Sequence, residues 1–398
     1  MKANLLNSQY KHIIFIFFAL ILSGLYACGS SDNGNSGQGS NNSMTIAVEL
    51  ASRFSVPPLT EAGTGSGTLT LDLDSGALSG TINFSALTGD VSFAHIHTGD
   101  AGTNSGVIIT LIVDNTSDQL TVPAATVLDA TQITAMTSGQ YYVNVHTAAH
   151  GSGEIRGQII PTGYELIRVE LNGENQVPQV TTGNSGVGYL LVNTSTGEIR
   201  GNLTNTGLDD ATQAHIHKAF AGDNSGTIVD LVNDGTNLDF WTFSATLSAA
   251  DLSSLLTGEL YFNVHTPAFN SGEVRGQILP AGVVMAIAPL TATEAQTAGT
   301  NASGTSAGTS TGYVTVNKNL SPATVKANLI FSGITPTAAH IHNPGIVHEF
   351  TLDLGAGTGV IDDTLTTTEV SQFESDNLYI NLHTTAFAGG ELRGQLTP

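Results

Sequence analysis

The stretch that decides the fold is YYVNVHTAAHGSGEIRGQ, residues 141–158, because it occurs three times in the chain. It returns as LYFNVHTPAFNSGEVRGQ at 260–277 and as LYINLHTTAFAGGELRGQ at 378–395. Each copy places a histidine eight residues before a glutamate, and successive histidines are 119 and 118 residues apart. A period of that length is typical of domains rather than of solenoid units. The sequence therefore predicts three tandem domains.

The domain boundaries follow from the position of this stretch near the end of each repeat. We place the domains at residues 44–162, 163–281 and 282–398, the last of them divergent in sequence. Chains of this length can bury a hydrophobic core of their own. Residues 1–27 and 28–43 precede the first domain, and neither segment has the composition of a folded domain.

A second motif, Ala-His-Ile-His, lies upstream of each copy of the first, at 94–97, 214–217 and 339–342. In the first two repeats the loop Ala-Gly-x-Asn-Ser-Gly follows it, and Asn and Gly tolerate the positive φ of a shaped turn. The third repeat has no such loop. Its spacing from the first His of this motif to the His of the His-Thr pair is 43 residues, against 51 and 50 in the others. If the loop shapes a binding surface, we expect the third domain to lack it.

Short segments that alternate apolar and polar residues run through every repeat, for example residues 45–50, 68–73 and 165–171. Glycine-rich turn signals separate them at intervals of about eight to twelve residues, the spacing of a sandwich or barrel. The pattern predicts an all-β chain. One short helix is expected in each domain just before the repeated stretch. The expected cap and end of these helices are Asp129 and Gly139, Ser248 and Gly258, and Thr367 and Asp376.

The repeated stretch itself reads as an antiparallel hairpin with a five-residue loop. Pairing Thr147 with Gly153 would set Asn144 opposite Arg156, with Val143 and Val145 turned into the core. The polar residues would then share the other face with the two histidines of the upstream motif, if the two strands are neighbours. The resulting candidate polar or metal face comprises His95, His97, His146, Glu154 and Arg156, then His215, His217, His265, Glu273 and Arg275, and then His340, His342, His383, Glu391 and Arg393.

Two interpretations of this face remain open at the level of sequence. In one, it is a polar ladder in which Glu154 holds Arg156 or His146 and fixes the hairpin register. In the other, the histidines bind zinc or copper, since two His at i, i+2 on one strand and a third on a neighbour suit those ions. The metal candidates are His95, His97, His146, His215, His217 and His265. No nucleophile, base and orienting acid recur together, so no catalytic residue is assigned.

The first 27 residues predict a secretory signal: Lys2 and Lys11 precede a short apolar run, and Leu25-Tyr26-Ala27-Cys28 follows it. The ending resembles a bacterial lipobox, which implies that Cys28 is lipidated. Cys28 is the only cysteine, so no disulfide can form within the chain. Residues 29–43 are polar and glycine-rich, and we expect them to be a flexible tether. By resemblance to Gram-negative lipoproteins, the absence of an aspartate after Cys28 favours an anchor in the outer membrane over retention in the inner membrane.

The composition restricts the partners. Acidic residues outnumber basic ones by 33 to 11, and the formal net charge is −22. Such a balance disfavours nucleic acid and anionic lipid surfaces. The charge is compatible with an exported protein that stays soluble through its acids or that meets cations. The expected membrane contact is therefore the lipid anchor alone, and the extracellular or envelope ligand is not named by the sequence.

Taken together, the motifs resemble the chordin-domain (CHRD) family. The resemblance rests on Asn-Gly-Glu-Asn-Gln-Val-Pro at 172–178, on Ala-His-Ile-His with its loop, and on Asn-Val-His-Thr with Gly-Glu-Ile/Val-Arg-Gly-Gln. It is strongest in the second repeat and partial in the third. It implies immunoglobulin-like β-sandwich or barrel domains in an exported protein. Growth-factor binding, as in animal chordins, is not implied, because the cysteine-rich modules that perform it have no counterpart here.

The leading functional expectation is a non-enzymatic, lipid-anchored cell-envelope protein whose three domains act as an extracellular binding or adhesion module. Repetition favours this, because linked weak sites gain effective concentration. The alternative is a metal-binding or superoxide-handling periplasmic protein that uses the histidines, whose His-x-His pair distantly resembles that of copper–zinc superoxide dismutases. A purely structural spacer is the third interpretation. Convergence of the three ring nitrogens would favour the metal alternative, whereas histidines that point apart, or that are each bound to a carboxylate or carbonyl, would favour the binding module.

Overall fold

The computed structural model describes residues 42–398 apart from residues 234, 302 and 344. The predicted signal sequence, the lipidation of Cys28 and nearly all of the predicted tether lie outside the described residues. Within the described part of the chain, no helix is both long and apolar enough to cross a membrane.

The first repeat is built from nine strands, one short 3-10 turn (Ser52–Phe54) and one helix. The strands are β1 (Ser43–Ala51), β2 (Thr64–Asp72), β3 (Leu78–Ser85), β4 (Val91–Thr98), β5 (Val107–Thr110), β6 (Ile112–Asp114), β7 (Gln119–Thr121), β8 (Tyr141–Thr147) and β9 (Ile155–Gln158), with helix α1 (Ala130–Thr137) before β8.

The sheet of this repeat is nearly closed. Its strand order is β5-β4-β8-β9-β1-β2-β3-β7-β6, so the two edge strands are β5 and β6. Only Leu111 separates those strands in sequence, which brings the two edges together and rolls the sheet into a barrel. On the other side, β1 and β9 pair only at Ala51 and Arg156. The barrel is therefore two antiparallel halves with a narrow join.

The second repeat has the same order, β14-β13-β17-β18-β10-β11-β12-β16-β15. Its elements are β10 (Tyr164–Asn172), β11 (Ser185–Asn193), β12 (Glu198–Thr206), β13 (Gln213–Lys218), β14 (Thr227–Asp230), β15 (Val232–Asn233), β16 (Phe240–Thr246), α2 (Ala249–Leu256), β17 (Leu260–His265) and β18 (Val274–Ile278).

The third repeat divides the same arrangement into two sheets, β19-β20-β21-β25-β24 and β23-β22-β26-β27, joined by a bridge between Thr291 and Arg393. Its elements are β19 (Val283–Leu290), α3 (Ala292–Thr297), β20 (Thr309–Asn317), β21 (Ala323–Ser332), β22 (Pro336–Asn343), β23 (Gly345–Glu349), β24 (Thr351–Asp353), β25 (Thr358–Leu365), α4 (Thr367–Glu374), β26 (Tyr379–Thr384) and β27 (Leu392–Gln395). The expectation of three all-β sandwich or barrel domains is confirmed.

The hairpin register has the predicted form. Tyr142 pairs with Gln158 and Asn144 with Arg156. The strand that carries Ala-His-Ile-His is its direct neighbour, with His95 opposite Asn144. Strand β4 thus lies beside β8, the adjacency on which a shared histidine face depends.

Alternation explains the core. Val143, Val145 and Ile155 are fully buried, as is Ile96 between the two histidines of its strand. Each such side chain stabilises the fold by about 1.5–3 kcal/mol relative to an exposed one. Because side chains alternate along a strand, the apolar set fixes the face on which the histidines lie.

The first two helices begin where the sequence predicts, at the caps Asp129 and Ser248, whose side chains accept backbone N–H groups. The helix predicted for the third repeat, α4, begins one residue earlier than expected, with Thr366 and not Thr367 as the cap. The reason is reciprocal capping: Glu369 lies three residues after Thr366 and accepts the N–H of that cap.

Helix α3 was not predicted, so the third repeat contains two helices instead of the expected one. Thr291 caps it by accepting the N–H of Glu294, a pairing that the Thr-x-x-Glu spacing offers. The segment has no apolar periodicity, and only Ala295 is buried. A helix of six residues leaves too short a pattern for such a signal.

Candidate metal centre

Each repeat brings three histidines together on one face of two neighbouring strands. These strands are β4 and β8 in the first repeat, β13 and β17 in the second, and β22 and β26 in the third. In the first repeat the ring centroids of His95 and His146 are 5.3 Å apart, and those of His95 and His97 are 5.5 Å apart. Each histidine offers a ring nitrogen within 4.8 Å of those of the other two. The three groups are His95, His97 and His146; His215, His217 and His265; and His340, His342 and His383.

The strand register produces this convergence. His95 lies opposite Asn144, and His146 is two residues further along the neighbouring strand on the same face. Diagonal neighbours of this kind have Cα atoms about 7–8 Å apart, within reach of two imidazole rings. His97 follows His95 by two residues and therefore shares its face.

Backbone carbonyls fix the proton positions of two rings in the first repeat. The Nδ1 atom of His97 lies 2.9 Å from the carbonyl oxygen of Ser105, and that of His146 lies 3.0 Å from the carbonyl oxygen of Gly151. A carbonyl only accepts hydrogen bonds, so Nδ1 carries the proton and Nε2 keeps its lone pair.

The atoms left over are buried and unpaired. Nε2 of His97, Nε2 of His146 and Nδ1 of His95 have no hydrogen-bond partner among the described residues. A buried polar atom without a partner costs about 1–3 kcal/mol, and such atoms are rare in folded proteins. Three such atoms that face one another could together hold a metal ion, which accepts lone pairs.

The other two repeats keep this arrangement. Nδ1 of His217 faces the carbonyl of Ser225, and Nδ1 of His265 faces the carbonyl of Asn270. There the third ring, His215, places its Nδ1 at 3.1 Å from Nε2 of His265. In the third repeat the unpaired atoms are again Nδ1 of the first histidine and Nε2 of the other two, in His340, His342 and His383.

In each cluster, burial favours the neutral form of at least two of the three rings. Burial and the neighbouring histidines lower the pKa of His217 and of His342 to about 4. Burial is also the main cause that lowers the pKa of His95, His97 and His215. An unprotonated imidazole is the form that binds a metal ion, so protons do not compete at neutral pH.

The donor set fits zinc or copper. Three neutral imidazole nitrogens are ligands of intermediate softness, which these ions favour over magnesium or calcium. Zinc–nitrogen bonds of about 2.0–2.1 Å require the ligand atoms to lie about 3.3 Å apart in a tetrahedral site. The ring nitrogens of each group lie within 4.8 Å of one another, so the rings would have to move closer together to reach that geometry.

The buried arginine of the candidate face supports the site instead of joining it. Arg156 lies 3.5 Å from the ring centroid of Tyr142 and donates to the carbonyl oxygens of Thr103 and Asp100 at 2.6 and 3.1 Å. Burial lowers its pKa to about 10, so it remains charged at neutral pH. The arginine thereby holds the loop 100–106 against the site.

Sequence reasoning missed Tyr142 as a member of this site. Its ring stacks on His97 with centroids 4.9 Å apart, and its hydroxyl accepts the N–H of Ser105 at 3.0 Å. The signal was present, because a tyrosine occupies this position in all three copies. Tyr261 and Tyr379 stack on His217 and His342 in the same way.

The glutamate of the candidate face also has a different role from the one the polar ladder requires. Glu154 is fully buried and accepts from the Thr147 hydroxyl at 2.6 Å and from the N–H and hydroxyl of Thr88, both at 2.7 Å. It therefore ties the hairpin turn to the 85–90 loop, in place of Arg156 or His146. Burial raises its pKa, but these hydrogen bonds outweigh burial and hold the pKa below its usual value.

The three sites differ in one neighbouring group. His215 Nε2 lies 3.6 Å from Asp230 Oδ1, and His340 Nε2 lies 3.9 Å from Glu349 Oε1. In the first repeat the residue in register with His95 is Thr110. A carboxylate on the far nitrogen orients a ligand histidine, so the second and third sites have support that the first lacks.

Comparison with known proteins identifies the family. The CHRD domain model matches three stretches, residues 46–159, 167–278 and 288–396, which together cover most of the chain. The chain belongs to the CHRD domain family, in three tandem copies. No curated protein matches it. No solved structure matches it either.

Proposed function

We propose that each CHRD domain of this chain binds one zinc or copper ion through its three histidines, and that the chain is a non-enzymatic metal-binding protein with three sites. The observation that carries the proposal is the convergence of unpaired, buried ring nitrogens whose partner nitrogens are bound to carbonyls. The same three atoms, Nδ1, Nε2 and Nε2, are presented in the first and third repeats.

The setting we propose is the cell envelope. The lipobox-like ending at Cys28 supports a lipid anchor, and the acidic composition supports contact with cations rather than nucleic acid. Three linked sites on one anchored chain would retain metal ions near the membrane. Binding of an extracellular partner by the repeated domains remains part of this proposal, supported by repetition alone.

Calorimetric titration of Zn²⁺ and Cu²⁺ into the full chain, purified without a histidine tag, tests the proposal. We expect three ions per chain. A variant with His97→Ala, His217→Ala and His342→Ala removes one ligand from each site and should lose tight binding. His150→Ala is the matched control, because its side chain contacts Glu61 outside the clusters. Affinity weaker than about 10 μM, roughly −7 kcal/mol, would refute the proposal.

A further inference from the structure

The loop 100–106 touches the histidine site with one side and the next repeat with the other. We propose that the second repeat completes the metal site of the first, and the third that of the second, with Tyr189 and Asn202 as positioning residues for the first site and Tyr313 and Asn328 for the second. This inference rests on the proposed metal binding. It adds that two of the three sites depend on a neighbouring domain.

The side of the loop that faces the histidine cluster positions His97, one of the proposed metal ligands. The carbonyl oxygen of Ser105 accepts from Nδ1 of His97 and so directs Nε2 into the cluster. The N–H of the same residue is bound by the Tyr142 hydroxyl, and Arg156 holds the carbonyl of Thr103. Movement of the loop would therefore turn the His97 ring.

The outer side of the loop is bound by the second repeat. The Asn202 side chain donates to the carbonyl oxygen of Ala101 at 2.7 Å. Gly102 has φ +79°, and a Cβ there would lie 2.6 Å from the ring of Tyr189. Arg200 adds an ion pair to Asp100 at 2.7 Å. Both Tyr189 and Asn202 are buried, although each lies on an outward face of its own barrel.

The contact recurs between the second and third repeats. Asn328 donates to the carbonyl oxygen of Ala221 at 2.7 Å, and a Cβ on Gly222 would lie 2.6 Å from the ring of Tyr313. On the inner side, the carbonyl of Ser225 faces His217 as that of Ser105 faces His97. The same contact occurs at both junctions between repeats, so we do not regard it as a chance contact.

The first and third repeats each lack a different half of this linkage. The third repeat has no such loop after its Ala-His-Ile-His motif. In the first repeat the cross-strand pair equivalent to Tyr189 and Asn202 is Thr68 and Thr81, both exposed. The Tyr and Asn pair therefore occurs in the second and third repeats, which each follow a repeat with the loop, and not in the first.

Shared use of one loop implies coupling. The contact with the next repeat restrains the loop and thereby positions the His97 ring. Because coupling free energies are reciprocal, a bound ion must stabilise the contact between the repeats by the same amount. Groups that orient a ligand histidine typically change metal affinity by about 10–100-fold. We expect loss of the docking contact to weaken the first site about tenfold.

The test uses the full chain with only the first site left intact, through His217→Ala and His342→Ala. Into this background we place Asn202→Asp, which keeps the shape but removes the donor to Ala101, and separately Tyr189→Thr, the residue type of the first repeat. Zn²⁺ affinity should fall about tenfold in both. Tyr189→Phe keeps the ring against Gly102 and should retain affinity.

The control is the same pair of substitutions read at the third site, in a chain with His97→Ala and His217→Ala. That affinity should not change. Equal losses at both sites would show general destabilisation and overturn the inference. Unchanged first-site affinity in a parent that binds Zn²⁺ would overturn the coupling alone. A parent that binds no Zn²⁺ would refute the metal proposal and the coupling with it.

Discussion

At the scale of single residues, the site depends on which nitrogen of each histidine is free. Carbonyl oxygens accept hydrogen bonds from the Nδ1–H groups of His97 and His146, while the first histidine of each cluster presents Nδ1 to the cluster and leaves Nε2 outside. The repeats differ in the group that lies beside this outer Nε2. In the proposed metal sites, the residue that lies beside this outer Nε2 on the neighbouring strand would modulate the histidine without contacting the metal itself.

Exchange of that residue should change affinity in opposite directions. Asp230→Asn removes the charge beside His215 and should weaken the second site up to about tenfold, a small effect because the carboxylate is exposed. Thr110→Asp places a carboxylate in register with His95 and should strengthen the first site. Zn²⁺ titration of single-site chains measures both. Unchanged affinity in the pair would show that the carboxylates do not act on the ligands.

The buried glutamates should make the stability of the folded chain depend on pH. Burial raises the pKa of Glu273, but hydrogen bonds from Thr182, Thr266 and Asn184 outweigh it and leave that pKa lowered. A lowered folded-state pKa means that the stabilisation is present above the unfolded pKa of about 4.3 and is lost as pH falls towards the folded value.

Urea unfolding at pH 6 and at successively lower pH tests this response. Glu273→Gln should cost about 1.5–3 kcal/mol at pH 6, the value of hydrogen bonds to a charged group. The difference from the parent chain should shrink as the pH drops below about 4.3. Glu198→Gln, at an exposed position, is the control. A difference that does not vary with pH would contradict the assigned role.

At the scale of elements, the loop 100–106 has the strictest backbone requirement. Gly102 combines a positive φ with a contact that leaves no room for a Cβ, whereas a Cβ on Gly106 would meet nothing within 4 Å. Gly102→Ala should therefore destabilise the chain by at least about 1–2 kcal/mol, the cost of the left-handed conformation, while Gly106→Ala should have little effect. Equal effects on the free energy of unfolding would mean that the loop is not held by the next repeat.

The sequence was sufficient to predict most of the elements, with α3 as an exception, and insufficient to predict their tertiary contacts. Alternation fixed the hairpin register, with Asn144 opposite Arg156, because a slip by one residue would expose Val143 and Val145. Local capping chemistry located the starts of α1 and α2, and the capping box of Thr366 and Glu369 accounts for the one-residue difference at the start of α4. Strand order is a long-range property, so the adjacency of His95 and His146 needed the structure.

The same limit explains the residues that were misassigned. Glu154 and Arg156 share a strand face with the histidines, and alternation alone cannot say that Thr88 and the carbonyl of Thr103 reach them first. Tyr142 was placed on this face by the register, but its stacking on His97 depends on ring geometry.

At the scale of the whole molecule, three similar domains are joined in a fixed direction. Each loop meets a Tyr and Asn pair in the next repeat, as Gly102 meets Tyr189 and Gly222 meets Tyr313. The result is a chain in which three sites are similar in ligands but differ in support. The first site has a docking contact and no carboxylate, the second has both, and the third has a carboxylate and no loop.

X-ray absorption at the zinc edge of the fully loaded chain tests the central claim most directly. The account predicts three equivalents of zinc, each with a first shell of nitrogen and oxygen at about 2.0–2.1 Å. It also predicts outer-shell scattering from about three imidazole rings per zinc ion, and a fall to two zinc equivalents with the same scattering when His97→Ala is introduced. A shell of oxygen atoms without imidazole scattering would contradict the claim that these histidines form metal sites.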